Sequence, residues 1–224
     1  MVDQNFRSAS CHYDEAYFKF QSSSGEVGAR LDRENFEEFV KDAETVIDFG
    51  CGGGFLLNEL KPRRRIGIEI NPYARAYAKG TGIEVYRTAD ELPADLMADA
   101  IISNHALEHV EDPLRELQKL ASQLKPGGFL VLIVPCDAPS FPFKENDPDF
   151  HLYSWSANNI GNLAKCAGFS VRDASEMRTR WPPKWAWIHR LFGFEALRIA
   201  TYIWGALPGW RRQVRLVATR EFAR

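Results

Sequence analysis

The run Val46-Ile47-Asp48-Phe49-Gly50-Cys51-Gly52-Gly53-Gly54 passes from apolar residues into a cluster of glycines, with one carboxylate, Asp48, two places before the first of them. Glycine lets a backbone turn that tightly, and a chain with no Cβ lets a ligand approach its amides closely. If a helix follows, its N-terminal amides face the ligand. Nineteen residues after Gly50 stands Glu69, at the end of the next apolar run. A carboxylate placed there can accept both hydrogen bonds of a ribose diol. A tight strand-to-helix turn without a ligand needs the same glycines, but Glu69 at this spacing points to a nucleoside.

Other phosphate-binding loops fit poorly. A GxGxxG fingerprint starting at Gly50 would need glycine at Phe55, whereas Gly50, Gly52 and Gly54 read as GxGxG, and no GK[ST] follows. Asp48 would repel a pyrophosphate and suit the amino group and sulfonium of S-adenosylmethionine.

Five histidines could act as bases near neutral pH: His12, His105, His109, His151 and His189. His105 follows an apolar run, at the edge where open α/β sheets hold ligands. His109 comes four residues later, so the two could share a helical face. The plainer alternative has Glu108 and His109 capping and packing the turn before the next helix. His151 sits in DPDFHLYSW. His105 and His109 offer two metal ligands with no evident third, so no metal is expected.

These residues need a scaffold. Short apolar runs at 46–49, 65–70, 83–87, 99–104 and 129–135 alternate with helical patterns at 55–60, 72–79 and 113–124, which predicts βαβ units around a parallel sheet. Leu114, Leu117, Leu120, Ala121 and Leu124 keep the spacing of one apolar helix face. A helix at 156–167 and strands at 169–175 and 214–220 complete the pattern.

In combination the residues resemble the class I S-adenosylmethionine-dependent methyltransferases of small-molecule bacterial type. The likeness covers roughly 45–170 and rests on the DxGxGxG loop, Glu69 within IGIEINPYA, ADELP, SNHALEHVEDP and LKPGGFLVLIVP. It implies a Rossmann-like, mostly parallel sheet with helices on both faces, and S-adenosylmethionine as cofactor. Asp48, Gly50, Cys51, Gly52 and Gly54 are then cofactor contacts, Glu69 holds the ribose, and Ile70 and Asn71 lie beside the adenine. Asn104 and His105 line the methionine side. Thr88 and Ala89 fall where the family often has an acidic and a small residue against the adenine amino group; Thr88 is not acidic and Asp90 lies two places later, so all three stay candidates. Methyl transfer releases a neutral thioether, and positioning supplies much of the acceleration. A hydroxyl or ammonium acceptor also needs a base, for which His105 and His151 are the candidates.

Two regions flank this core within one domain of 224 residues: 1–44, an N-terminal helical lid, and 176–211, a helical insertion before the final strand in 212–224. The N-terminal aromatics Tyr13, Tyr17, Phe18 and Phe20 could close over a sulfonium or pack the helix at 32–41 onto the sheet. Gln21 to Gly28 reads as a hinge between them. The overall charge of -2 hides a division: residues 1–175 hold 18 basic against 27 acidic side chains, and 176–224 hold 10 against 3. Five of the six tryptophans also fall in the latter, ahead of a turn at Pro208 and Gly209. The insertion could cap the acceptor pocket, make peripheral membrane contact through 181–207 or form a homodimer.

The acceptor expected is a small molecule, a glycan or a lipid-linked compound, methylated at oxygen. Basic residues interleaved with aliphatic ones argue against nucleic acid. Four scattered cysteines suggest a reducing cytoplasm, and charges within Ile188 to Leu207 argue against a spanning helix. A cofactor-binding scaffold without turnover and an NAD-dependent oxidoreductase are the alternatives.

Overall fold

Thr45–Phe49 is buried at all five positions, as a strand covered on both faces must be. Alternation then divides its side chains between two cores. Val46 faces a cluster with Phe36, Val40, Leu57 and Ala78, while Ile47 faces one with Leu117, Leu120, Ile160 and Ala164. The result is a three-layer arrangement, described by a computed structural model for residues 14–207, apart from 139, 146 and 148, and for 211–221. Tyr13 and the turn expected at Pro208 and Gly209 lie outside the described residues.

In chain order the elements are α1 (Glu15–Val40), β1 (Thr45–Phe49), α2 (Phe55–Leu60), β2 (Arg64–Ile68), α3 (Pro72–Gly80), β3 (Glu84–Tyr86), β4 (Ala98–Asn104), α4 (Pro113–Ser122), β5 (Leu124–Asp137), α5 (Ala157–Cys166), β6 (Phe169–Met177), α6 (Trp185–Ala206) and β7 (Arg211–Arg220). Short 3-10 turns cover Ala89–Glu91 and Leu107–His109. The sheet order is β3-β2-β1-β4-β5-β7-β6. Only β7 runs antiparallel to its neighbours, so the expected Rossmann-like sheet, mostly parallel with helices on both faces, is the fold found. Because β1 and β4 are neighbours, the chain winds outward from them in both directions. Their carboxyl ends form the switch point where such sheets hold ligands, and Ser103 Oγ ties the two ends by donating to the Phe49 carbonyl at 2.8 Å.

Three expectations need correction. No hinge interrupts 21–28: α1 is continuous from Glu15 to Val40. Ser22, Ser23 and Ser24 each donate to the carbonyl three residues back, the local bond that a serine inside a helix can make. Gly25 and Gly28 are there for contact, since a Cβ would strike the Phe55 ring at the first and press on Trp181 at the second. Second, α4 stops at Ser122 and Leu124 opens β5, pairing with Ala98. Third, the helical insertion expected over 176–211 holds a helix only from Trp185, and it is broken at Gly193, whose φ of 80° no helix accommodates. Among the described residues no helix is long and apolar enough to cross a membrane, and Cys51, Cys136 and Cys166 are free thiols.

Candidate functional site

The loop after β1 is shaped by three glycines at positive φ: Gly50 (77°), Gly52 (52°) and Gly54 (78°). A Cβ on Gly50 would collide with the Ala106 methyl and one on Gly54 with Ile83, whereas one on Gly52 would meet nothing within 4 Å. Gly50 and Gly54 therefore serve packing, and Gly52 opens its backbone to the cavity. Gly50 N and Cys51 N donate to the Ile68 carbonyl at 2.8 and 3.1 Å, binding the loop to the end of β2.

Glu69 completes this corner. Its carboxylate accepts from the amides of Gly52 (2.8 Å) and Asn71 (2.7 Å). Burial raises its pKa above the ordinary glutamate value, against the pull of those amides and of Arg75. Asp48, almost fully buried, is pushed up to about 8, by burial first and then by the charge of Glu69. Burial beside both carboxylates also raises the Cys51 thiol. Two carboxylates kept out of water beside a glycine turn that leaves room for a ligand fit one that brings its own positive charge and a diol, as S-adenosylmethionine does.

Asp48, Gly50, Cys51, Gly52, Asn104, His105 and His151 all line one cavity of about 640 Å³, a size suited to a small-molecule site. Gly54, Glu69, Ile70, Asn71, Thr88, Ala89 and Asp90 are not among its lining residues. Asn71 uses its side chain to cap α3, accepting from Tyr73 N at 2.9 Å, while Ile70 is exposed. Ala89 is core, and Asp90 turns outward to Lys119 at 2.6 Å. The 88–90 segment thus packs onto α4 and offers the cavity none of its three side chains.

At the far side of the cavity stands a group the sequence did not foretell. His105 and His109 do not share a helix face: His105 has φ 55°, and His109 ends the 3-10 turn. Nor do Glu108 and His109 cap α4, because Asp112 does so by accepting from Arg115 N at 3.1 Å. Glu108 instead is fully buried and places Oε1 3.1 Å from His105 Nδ1 and 3.8 Å from His151 Nε2. Burial opposes protonation of the His105 imidazole, but the bond and charge of Glu108, helped by Asp32 and Gln213, outweigh it and hold its pKa above the usual histidine value. His109 is shifted the other way, by burial first and by the neighbouring His151 against Glu108. The Glu108 carbonyl accepts from Leu152 N (2.9 Å) and Tyr153 N (3.2 Å), which fixes the His151 loop. Phe150, just before it, also has positive φ. Non-glycine residues in that conformation are strained and tend to gather where function requires them.

Tyr17, Phe18, Phe20 and Gln21 bring α1 to the cavity wall, and Arg180 and Trp181 bring the start of the insertion. Phe18 also packs on Tyr77 at 5.6 Å. The Tyr17 phenol is raised by burial and by Asp149, Glu69 and Glu108, so it sits between the cofactor corner and the histidine corner. Asp32 accepts from Asn104 Nδ2 at 2.8 Å, and burial raises its pKa. Of Glu108, Asp32 and Gln213, which sequence reasoning did not assign to the site, only Glu108 had a signal in the sequence, the spacing His105-x-x-Glu108 with histidine next. Asp32 and Gln213 meet His105 from distant parts of the chain, which no local pattern reveals.

A methyltransferase-domain family model matches residues 24–174. Among curated proteins, the ribosomal protein L11 methyltransferase of Pectobacterium carotovorum is 42% identical over 103 residues, 41% of this chain and 33% of that protein. The ubiquinone biosynthesis O-methyltransferase of Ruegeria pomeroyi is 33% identical over 150 residues, 56% of this chain and 59% of that protein. The chain thus matches between a third and three-fifths of the length of these relatives. A solved SAM-dependent methyltransferase from Archaeoglobus fulgidus superposes with a TM-score of 0.66 at 18% identity, covering 92% of this chain and all of that one, a likeness of fold.

Proposed function

The chain belongs to the methyltransferase-domain family of class I S-adenosylmethionine-dependent enzymes, and from that premise we propose that it methylates an oxygen of a small molecule or glycan held in the cavity. Membership speaks against the nicotinamide oxidoreductase reading of the glycine loop. The bound cofactor supplies an electrophilic methyl on a sulfonium. The chain's own residues do the rest. Asp48 and Glu69 offer the carboxylates, Gly52 the open backbone, and Asn104, held by Asp32, the neighbouring wall.

The observation that carries the oxygen reading is the His105–Glu108 pair. A hydroxyl acceptor must lose a proton as its oxygen takes the methyl and the carbon–sulfur electron pair returns to sulfur, and a positioned base makes that loss easier. Glu108 holds the His105 ring at 3.1 Å on the cavity wall, with His151 beside it as the second candidate. The O-methyltransferases among the relatives support the same choice. The test is S-adenosylhomocysteine release across a panel of hydroxylated small molecules, free glycans, lipid-linked sugars and amines. Release with hydroxyl acceptors is expected; release with amines alone would overturn the oxygen assignment.

A lipid-linked acceptor gains support from α6, whose Trp187, Phe192, Ile199 and Ile203 are each more than half exposed in the segment of basic excess. That pairing of apolar and basic side chains suits an anionic bilayer surface, with a homodimer through the same face as the competing occupant.

A further inference from the structure

Glu108, His109 and His151 each bring one ligand atom to within 4.8 Å of the other two, and we propose that they hold a divalent transition-metal cation which binds the acceptor's oxygen. The proposal rests on the oxygen-acceptor reading above and names the acceptor class: compounds with two neighbouring oxygens able to chelate.

Three observations carry it. First, Glu108 is fully buried, and while its Oε1 faces His105, its Oε2 has no hydrogen-bond partner. A buried carboxylate oxygen in that position is costly unless something charged meets it, and buried charges are paired or bind metals. Second, His151 Nε2 stands 3.8 Å from Glu108 Oε1, too far for a hydrogen bond, and its Nδ1 is buried without one. The His109 and His151 rings meet edge to face at 5.0 Å, so both imidazoles converge on the same carboxylate. Third, the cavity is lined by Asp32, Asp48, Asp137 and Asp149 against Arg180 and Arg212, so carboxyl groups outnumber guanidinium groups around the site.

Two imidazoles and one carboxylate form a donor set for zinc or for iron with open positions, and a poor one for calcium or magnesium. Metal–ligand bonds of about 2.1 Å place tetrahedral ligands about 3.4 Å apart, so the three atoms must close by about 1.4 Å at most. Imidazole rotation is the movement available for that, because the backbone is held: Leu152 N and Tyr153 N bond to the carbonyl of Glu108 itself. An acceptor hydroxyl bound to the cation ionises more readily. Its O–H bond then breaks with the proton passing to the His105 imidazole, which Glu108 holds, the oxygen forms the bond to the methyl carbon, and the carbon–sulfur pair leaves with sulfur.

The test uses the full chain stripped with a chelator and titrated with Co²⁺ and Zn²⁺ by calorimetry, with the visible spectrum of Co²⁺ as a second signal. One equivalent is expected. His109→Ala and His151→Ala should each weaken it about tenfold or more, His189→Ala on α6 should leave it unchanged, and all three should bind S-adenosylhomocysteine normally, which reports an intact fold. Absence of saturable binding, or binding in the two cavity variants as tight as in the unaltered chain, overturns the site. Methylation of hydroxyl acceptors that persists without metal binding refutes this proposal alone. Metal binding with methylation confined to amines keeps the cation site but refutes the oxygen reading, and with it the role given to the cation.

Discussion

Glu69 accepts a hydrogen bond from the backbone amide of Gly52 at 2.8 Å, across 17 residues of sequence. One side chain at the end of β2 thereby braces the loop that follows β1, and in the proposed cofactor site it would also accept from the ribose. Glu69→Ala and Asp48→Ala should each weaken S-adenosylmethionine binding by about 1.5–3 kcal/mol, the usual loss for a charged hydrogen bond, read by calorimetry. Unchanged affinity in both would move the cofactor elsewhere.

Asp48 gives a pH dependence with a definite sign. Its pKa is raised to about 8 in the folded chain, by burial and then by Glu69, so near neutrality it is largely protonated until a cationic ligand arrives. Affinity for the cofactor should rise between about pH 6 and 8, by up to about tenfold per unit, with proton release on binding. For the free protein, the folded pKa lies above the unfolded one. This group's contribution to stability is therefore fully present below the ordinary aspartate range and is lost as pH rises through about 8. Asp48→Asn should flatten both profiles, seen in calorimetry and in melting curves.

The glycines should separate folding from binding. Gly50→Ala forces a methyl into Ala106 at a φ of 77°, and overpacking of that kind costs about 1–3 kcal/mol. Gly52→Ala meets open space, so its folding cost should be the backbone strain alone, about 1–2 kcal/mol, while its methyl obstructs the approach of a ligand to the amides. Melting temperature should fall more in the first, and cofactor affinity relative to stability more in the second.

His105→Ala should lower turnover about 10²- to 10⁴-fold with little change in cofactor affinity. A smaller loss with His151→Ala than with His105→Ala assigns the proton transfer to His105; the reverse order assigns it to His151.

The α6 surface is testable by vesicle flotation. Binding to anionic vesicles at low salt, lost when Trp187 and Phe192 are replaced by serine, is expected from the lipid reading. Soluble protein that sediments as a dimer, and returns to monomer in that variant, would give the face to self-association instead.

The parallel core was legible because its strands are apolar throughout and its helices keep a 3,4 spacing: Leu117 and Leu120 are fully buried, as their periodicity requires. The glycine loop was legible for a related reason, since Gly50 and Gly52 adopt positive φ that few other residues tolerate. Glycine misled at 25 and 28, where it allows two aromatic rings to approach a straight helix, a role that looks like flexibility in one dimension. Glu108 was misread because acidic residues before a helix are usually caps. Its burial depends on the 150–153 loop returning to cover it, and that contact has no local signature. The 88–90 segment was placed at the cavity by likeness alone, and the salt bridge of Asp90 to Lys119 involves a helix surface that the likeness did not consider.

The direction of β7 sets where this enzyme can vary. Because β7 alone runs backwards, its first residues pair with the carboxyl end of β5, Arg212 opposite Cys136 and Gln213 opposite Pro135. The segment joining β6 to β7 therefore leaves and rejoins the sheet on the same rim, the one where the parallel strands end, with no need to cross beneath it. A parallel last strand would have required that segment to travel the full depth of the molecule, fixing its length. Here it can lengthen, shorten or be exchanged whole while the hydrogen-bonded ladder stays in register, so descendants of this chain could change customers without rebuilding the workshop.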